Sequence, residues 1–111
     1  MIKLKRAYDQ PAADDGYRVL VDRLWPRGVT KKKAAVDLWL KELAPSPELR
    51  KWFGHDPAKW KQFQQRYRVE LKRHPEALGL LRAKARKGTV TLVYGARDEE
   101  HNGARVIEGL L

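Results

Sequence analysis

Two short stretches hold most of the side chains able to do chemistry. The first is Asp22-Arg23-Leu24-Trp25-Pro26-Arg27-Gly28. Arg23 and Arg27 flank a Pro-Gly turn, and a planar guanidinium pairs with phosphate or carboxylate oxygens through two parallel N–H bonds, so the two read as an anion clamp. Trp25 between them offers a stacking face for a base or ring; it also suits a core position, which is slightly the stronger reading. For Asp22 the plain reading is an ion pair with an arginine that fixes the turn. The second stretch is Gly95-Ala96-Arg97-Asp98-Glu99-Glu100-His101-Asn102. His101 is the one side chain here that titrates near neutral pH, so His101 with Asp98 is the candidate catalytic pair. The competing reading, a structural histidine in the first turn of a helix, is the commoner case. Asn102 carries an amide able to bond a base edge. Asp98 or Glu99 also suits the cap of the helix that follows. Arg50 joins Arg23 and Arg27 as a further candidate anion contact.

Other chemistries find little support. The chain has no cysteine, which removes thiolate nucleophiles, disulfides and thiolate metal sites. Ser46 stands before Pro47 and reads as a helix cap rather than a nucleophile. No glycine-rich phosphate loop of the P-loop or dinucleotide type is present. His55-Asp56 and Glu99-Glu100-His101 lack the histidine spacing of a metal site, so no metal or cofactor is implied.

The elements that must position these groups follow from hydrophobic period and punctuation. Residues 2–8 begin by alternating apolar and basic side chains, the pattern of a half-exposed strand. Residues 17–24 and 89–96 are nearly continuous apolar runs, expected as buried strands whose carboxyl ends deliver the two polar stretches. One helical turn is expected over Thr30–Ala35. Residues 36–43 fit a strand and a helix equally in period, and a short strand is favoured. Ser46-Pro47 opens a helix that closes near Gly54, and Asp56-Pro57 opens another. In that second helix Trp60, Phe63, Tyr67 and Leu71 recur at spacings of three, four and four, one apolar stripe. Pro75 starts a third with Leu78, Leu81 and Ala85 inward and Gly88 as its stop. A last helix carries Val106, Ile107, Leu110 and Leu111. Strands alternating with helices predict one α/β domain over 1–111, a small mostly parallel sheet covered by helices in a Rossmann-like three-layer sandwich. In such sheets ligands sit outside the carboxyl ends of the strands.

The net charge of +10 is unevenly spread. Residues 57–87 hold ten Lys and Arg against two Glu, a balance of +8, which suits a polyanionic partner or a solvated helix face. A charged start without an apolar stretch behind it, and no apolar run of about 18 residues, predict a soluble cytoplasmic protein with no membrane partner.

The runs Gly16-Tyr17-Arg18-Val19-Leu20-Val21-Asp22-Arg23-Leu24-Trp25-Pro26-Arg27-Gly28, Trp39-Leu40-Lys41-Glu42-Leu43-Ala44-Pro45-Ser46, Leu49-Arg50-Lys51-Trp52-Phe53-Gly54-His55-Asp56-Pro57, Thr91-Leu92 and Asp98-Glu99-Glu100-His101-Asn102 resemble the YeaO-like family of bacterial proteins, a domain of unknown function numbered 488. The resemblance runs over nearly the whole chain. It implies a compact α/β domain and no assigned activity or cofactor. The residues themselves point to an anionic, phosphate-bearing, nucleotide-like ligand in a cleft at the carboxyl ends of the strands. The alternatives are a nucleic-acid-binding module using the basic helices of 57–87, and a protein-interaction domain.

Overall fold

A computed structural model describes residues 1–111. Four strands make one sheet: β1 (Ile2–Arg6), β2 (Tyr17–Leu20), β3 (Leu38–Trp39) and β4 (Val90–Tyr94). Their spatial order is β1-β4-β2-β3, and every neighbouring pair is parallel. Five helices accompany them: α1 (Lys31–Ala34), α2 (Pro47–Phe53), α3 (Trp60–Leu71), α4 (Pro75–Lys87) and α5 (Gly103–Leu110). The expected α/β class with a parallel sheet is what the chain adopts.

The two faces of the sheet differ in weight, and strand alternation sorts the side chains between them. Val19, Val90 and Leu92, with Ile2 and Leu4, turn to the broad face. There Phe53 of α2, Phe63 and Tyr67 of α3, Leu78 and Leu81 of α4, and Val106 and Ile107 of α5 close the main core. Leu20 and Val93 turn to the other face, where a smaller cluster takes in Ala7, Trp25, Val36 and Trp39. That narrow face carries only the four-residue α1 and a 3₁₀ turn at Ala13–Asp15, so the outer layers are very unequal.

The alternation read over residues 2–8 is real, but its basic half is not simply solvated. Lys3 and Lys5 lie on the narrow face and reach Asp15 at 3.6 and 3.1 Å. Asp15 is fully buried and pairs with the almost fully buried Arg18 of β2 at 2.6 Å. Arg18 also donates to the Ala34 carbonyl at 2.8 Å, and Thr91 donates to the Asp15 carbonyl at 2.6 Å, so one polar knot ties β1, β2, β4 and α1 together. Burial works against the Asp15 charge. The N–H of Ala12 and the cations of Lys5 and Arg18 outweigh it and hold the carboxyl down at about 2.

Capping residues set the helix starts. Thr30 accepts from Lys33 N and starts α1 despite three lysines at its amino end. Ser46 caps α2 as expected, and Gly54 ends it in a left-handed conformation, φ 54°. Asp56-Pro57 opens a 3₁₀ turn (Pro57–Lys59), and the α-helix proper starts at Trp60. Residues 36–43 split between the two readings: two residues of strand, then a 3₁₀ turn at Lys41–Leu43.

Candidate functional site

β2 and β4 are neighbours in the middle of the sheet, paired Leu20 to Val93, so their carboxyl ends emerge together. The chain leaves β2 toward the narrow face, where α1 lies, and leaves β4 toward the broad face, where α5 lies. Two adjacent parallel strands whose continuations part to opposite faces form a switch point, where such sheets open a crevice. Asp22 and Gly95 occupy it.

The ladder explains why the apolar run 17–24 stops being strand at Leu20. Val21 N still reaches the Val93 carbonyl at 3.1 Å. One residue on, the Asp22 side chain replaces the backbone acceptor: its Oδ2 takes the Gly95 N–H at 2.8 Å. The Asp22 carbonyl turns away and accepts from the Trp39 indole at 2.7 Å. The expected ion pair between Asp22 and an arginine does not form: Arg23 turns to the Pro45 carbonyl, and Oδ2 accepts from the backbone N–H of Gly95. Burial raises the Asp22 pKa, partly offset by the Gly95 hydrogen bond and by the positive fields of Arg50 and His55.

Around this point the predicted residues separate into three groups. On the broad side stand Asp98, His101 and Asn102. Asp98 accepts from the N–H groups of Glu100 and His101 at 2.9 and 3.0 Å, and its Oδ2 meets His101 Nδ1 at 2.9 Å. The Glu100 N–H and then the His101 contacts lower the Asp98 pKa. His101 sets its ring edgewise against Trp60 at 5.2 Å, and Trp60 continues through Phe53 toward His55. Asn102, not Asp98 or Glu99, caps α5: its Oδ1 accepts from Arg105 N at 3.1 Å and its Nδ2 donates to the Asp98 carbonyl at 2.9 Å. Asn102 is buried, with both ends of its amide engaged.

Arg23 belongs to a second group. It is exposed and donates to the Pro45 carbonyl at 3.2 Å. It lines a cleft of about 150 Å³ with Glu42, Ser46, Glu70, Arg73 and His74, floored by Tyr67. Glu70 accepts from Ser46 N and Ser46 Oγ at 2.8 and 2.6 Å. The buried Tyr67 hydroxyl donates to the Leu43 carbonyl. Trp25 and Arg27 form the third group. Trp25 meets Trp39 edge to face at 5.5 Å and donates to the Val29 carbonyl at 2.6 Å. It lies with the narrow-face cluster, away from the Trp60–His101 pair. Arg27 is exposed in the turn that Gly28 closes at φ 78°.

Charge at this rim is handled asymmetrically. Asp22, Glu70 and Asp98 all spend oxygens on backbone N–H groups. Arg23, Arg27, Arg50 and Arg73 form no ion pair with any carboxylate; the pairs in the molecule involve Lys3, Lys5, Arg18, His101 and Arg105. Sequence reasoning missed Glu70, Arg73 and His74, since they come from the last turn of α3 and the turn that follows it, far along the chain from Arg23. The signal for Asp22 was present, a carboxylate at the tip of a buried strand, but its partner across the sheet was not legible.

No group of three His, Cys, Asp or Glu side chains stands close enough to hold a metal ion. No helix is long and apolar enough to cross a membrane.

Fold and rim together define a small parallel α/β domain with an arginine-bearing carboxyl edge. The chain belongs to the DUF488-N3i family, described as the inactive DUF488-N3 subclade, whose model matches residues 1–111. It is 43% identical to the uncharacterized protein YeaO of Escherichia coli strain K12, over 96% of this chain and 92% of that one. It is 40% identical to the uncharacterized protein Rv3073c of Mycobacterium tuberculosis strain H37Rv, over 99% of this chain and 92% of the relative. The same figures hold for the uncharacterized protein Mb3100c of Mycobacterium bovis. No solved structure matches the chain.

Proposed function

We propose that this domain holds an anionic, phosphate-bearing, nucleotide-like ligand at the carboxyl ends of its strands. Arg23 and Arg50 make the anion contacts, Arg73 adds charge from the cleft wall, and Trp25 and Arg27 frame the narrow-face side. The observation that carries this reading is the asymmetry of charge: Glu70 and Asp98 at the rim are engaged by donors of the protein itself, while the guanidiniums of Arg23, Arg27, Arg50 and Arg73 have no carboxylate partner. A guanidinium left open beside a polar cleft is a ready anion receptor. His101 and Asp98 hold each other at 2.9 Å beside Trp60. In this reading they shape the mouth and are the pair that would move a proton if a reaction occurs. The description of the family as inactive favours a ligand that is held over one that is transformed.

Calorimetry with inorganic phosphate and AMP tests the proposal. A charge-assisted hydrogen bond is worth about 1.5–3 kcal/mol, so Arg23→Gln and Arg50→Gln should each weaken binding by roughly 10- to 100-fold. Binding that is absent at low salt, or indifferent to both substitutions, would refute it.

A second reading has its own observation. The ten Lys and Arg of residues 57–87 form no ion pair, and Lys59, Arg66 and Lys84 lie over aromatic rings. Arg66 and Lys59 sit over Trp52 at 4.1 and 5.2 Å. An unneutralised basic surface binds nucleic acid through counterion release. Fluorescence anisotropy with labelled single- and double-stranded DNA and RNA should then show affinity falling steeply with salt. No binding at low salt would remove this reading.

A further inference from the structure

Asp22 is energetically misplaced if its only task is to fix a turn. It is half-buried, and taking a carboxylate out of water costs free energy unless partners compensate. The one hydrogen bond its side chain makes inside the protein is from the Gly95 N–H to Oδ2. An asparagine would make the same bond without the cost of a charge. Oδ1 has no partner in the protein, yet no side-chain oxygen or nitrogen is sealed from solvent without a hydrogen bond, so Oδ1 remains open to the outside. Arg23 is adjacent in sequence but turns to the Pro45 carbonyl, and Arg50 acts on Asp22 through its field without forming an ion pair. The carboxylate is also held firmly. Gly95 brings its backbone so close that a Cβ there would stand 3.1 Å from Oδ2. Burial raises the Asp22 pKa, the expected direction for a charge awaiting compensation.

We infer that Asp22 is a ligand-contacting residue whose open Oδ1 accepts a hydrogen bond from a sugar hydroxyl, so that the ligand class is a sugar phosphate or nucleotide rather than a simple oxyanion. A carboxylate holding ribose hydroxyls beside a phosphate site is a recurrent solution at the switch points of parallel sheets. Here Arg50 and His55 supply the neighbouring positive field, and Asp22 supplies discrimination. A bare phosphate gains nothing from Asp22 and is repelled by it. A sugar phosphate gives the carboxylate its missing donor. This inference rests on the anion site proposed above, and the two fail separately.

The test compares inorganic phosphate, ribose 5-phosphate and AMP by calorimetry, with wild type and Asp22→Asn. The amide keeps an oxygen for Gly95 N, and a melting curve checks that the fold is retained. Wild type should prefer ribose 5-phosphate and AMP over phosphate by about tenfold or more, the worth of one hydrogen bond to a charged group. Asp22→Asn should bind phosphate as well as or better than wild type while losing that preference. Equal weakening of all three probes, or an unchanged preference, overturns the role of Asp22. Wild type that binds phosphate without favouring the sugar overturns it too, and leaves the anion site standing. Wild type that binds none of the probes overturns the anion site and this inference with it. If Asp22→Asn does not fold, wild type with dideoxy-AMP serves instead: a loss of about tenfold relative to AMP is expected, and equal affinity overturns the inference.

Discussion

Replacing Asp15 by Asn should strike the narrow face where it is most tightly bound. Asp15 is fully buried, with Arg18 at 2.6 Å and Lys5 at 3.1 Å. Removing one partner of a buried pair strands the other charge, at a cost of about 3–5 kcal/mol. Part of that cost depends on pH with a fixed sign. The folded carboxyl sits at about 2, below its ordinary 3.8, so its charge stabilises the fold above pH 3.8, and this contribution is lost as pH falls through 2. The difference in pKa is worth about 2 kcal/mol at neutral pH and roughly 1 kcal/mol at pH 3. Urea unfolding of wild type and Asp15→Asn at pH 7 and pH 3 reads this directly. The gap between the two proteins should narrow by about 1 kcal/mol at the lower pH. A gap under about 1 kcal/mol at pH 7, or one that does not narrow, would refute the view that this knot holds the sheet together.

Three further substitutions probe other joints. Tyr67→Phe leaves the Leu43 carbonyl without its buried donor and should cost about 1–3 kcal/mol in thermal or urea unfolding. Gly16→Ala puts a Cβ 2.2 Å from the Thr89 carbonyl oxygen at φ 65°, which no side-chain rotation relieves, so a loss of about 3 kcal/mol or more is expected from the same melts. Asn102→Ala removes the α5 cap and should cost about 1–2 kcal/mol of stability. Because both ends of that amide are engaged internally, calorimetry on the folded variant should show AMP affinity little changed; a large loss would make Asn102 a direct contact.

Periodicity and punctuation carried much of the architecture. The stripe through Phe63, Tyr67 and Leu71 is buried, and Ser46-Pro47 caps a helix, because both depend on neighbours within a turn or two. The apolar runs of β2 and β4 announced central strands for the same local reason: a strand covered on both faces has no polar side to show. What local chemistry left open was pairing. Nothing near Asp22 in sequence indicates that its carboxylate accepts from Gly95 rather than an arginine, and nothing in the turn-like run 9–16 indicates that Asp15, three residues before Arg18, is buried against it and joined by Lys5. The cleft beside Arg23 draws on Glu70 from the last turn of α3 and on Arg73 and His74 from the turn before α4. Local pattern thus specified most strands and helices, residues 36–43 apart, and which of them bear charge. Which charges are consumed is settled by pairing across the fold, since it depends on which oxygens and N–H groups the order β1-β4-β2-β3 brings within hydrogen-bond reach.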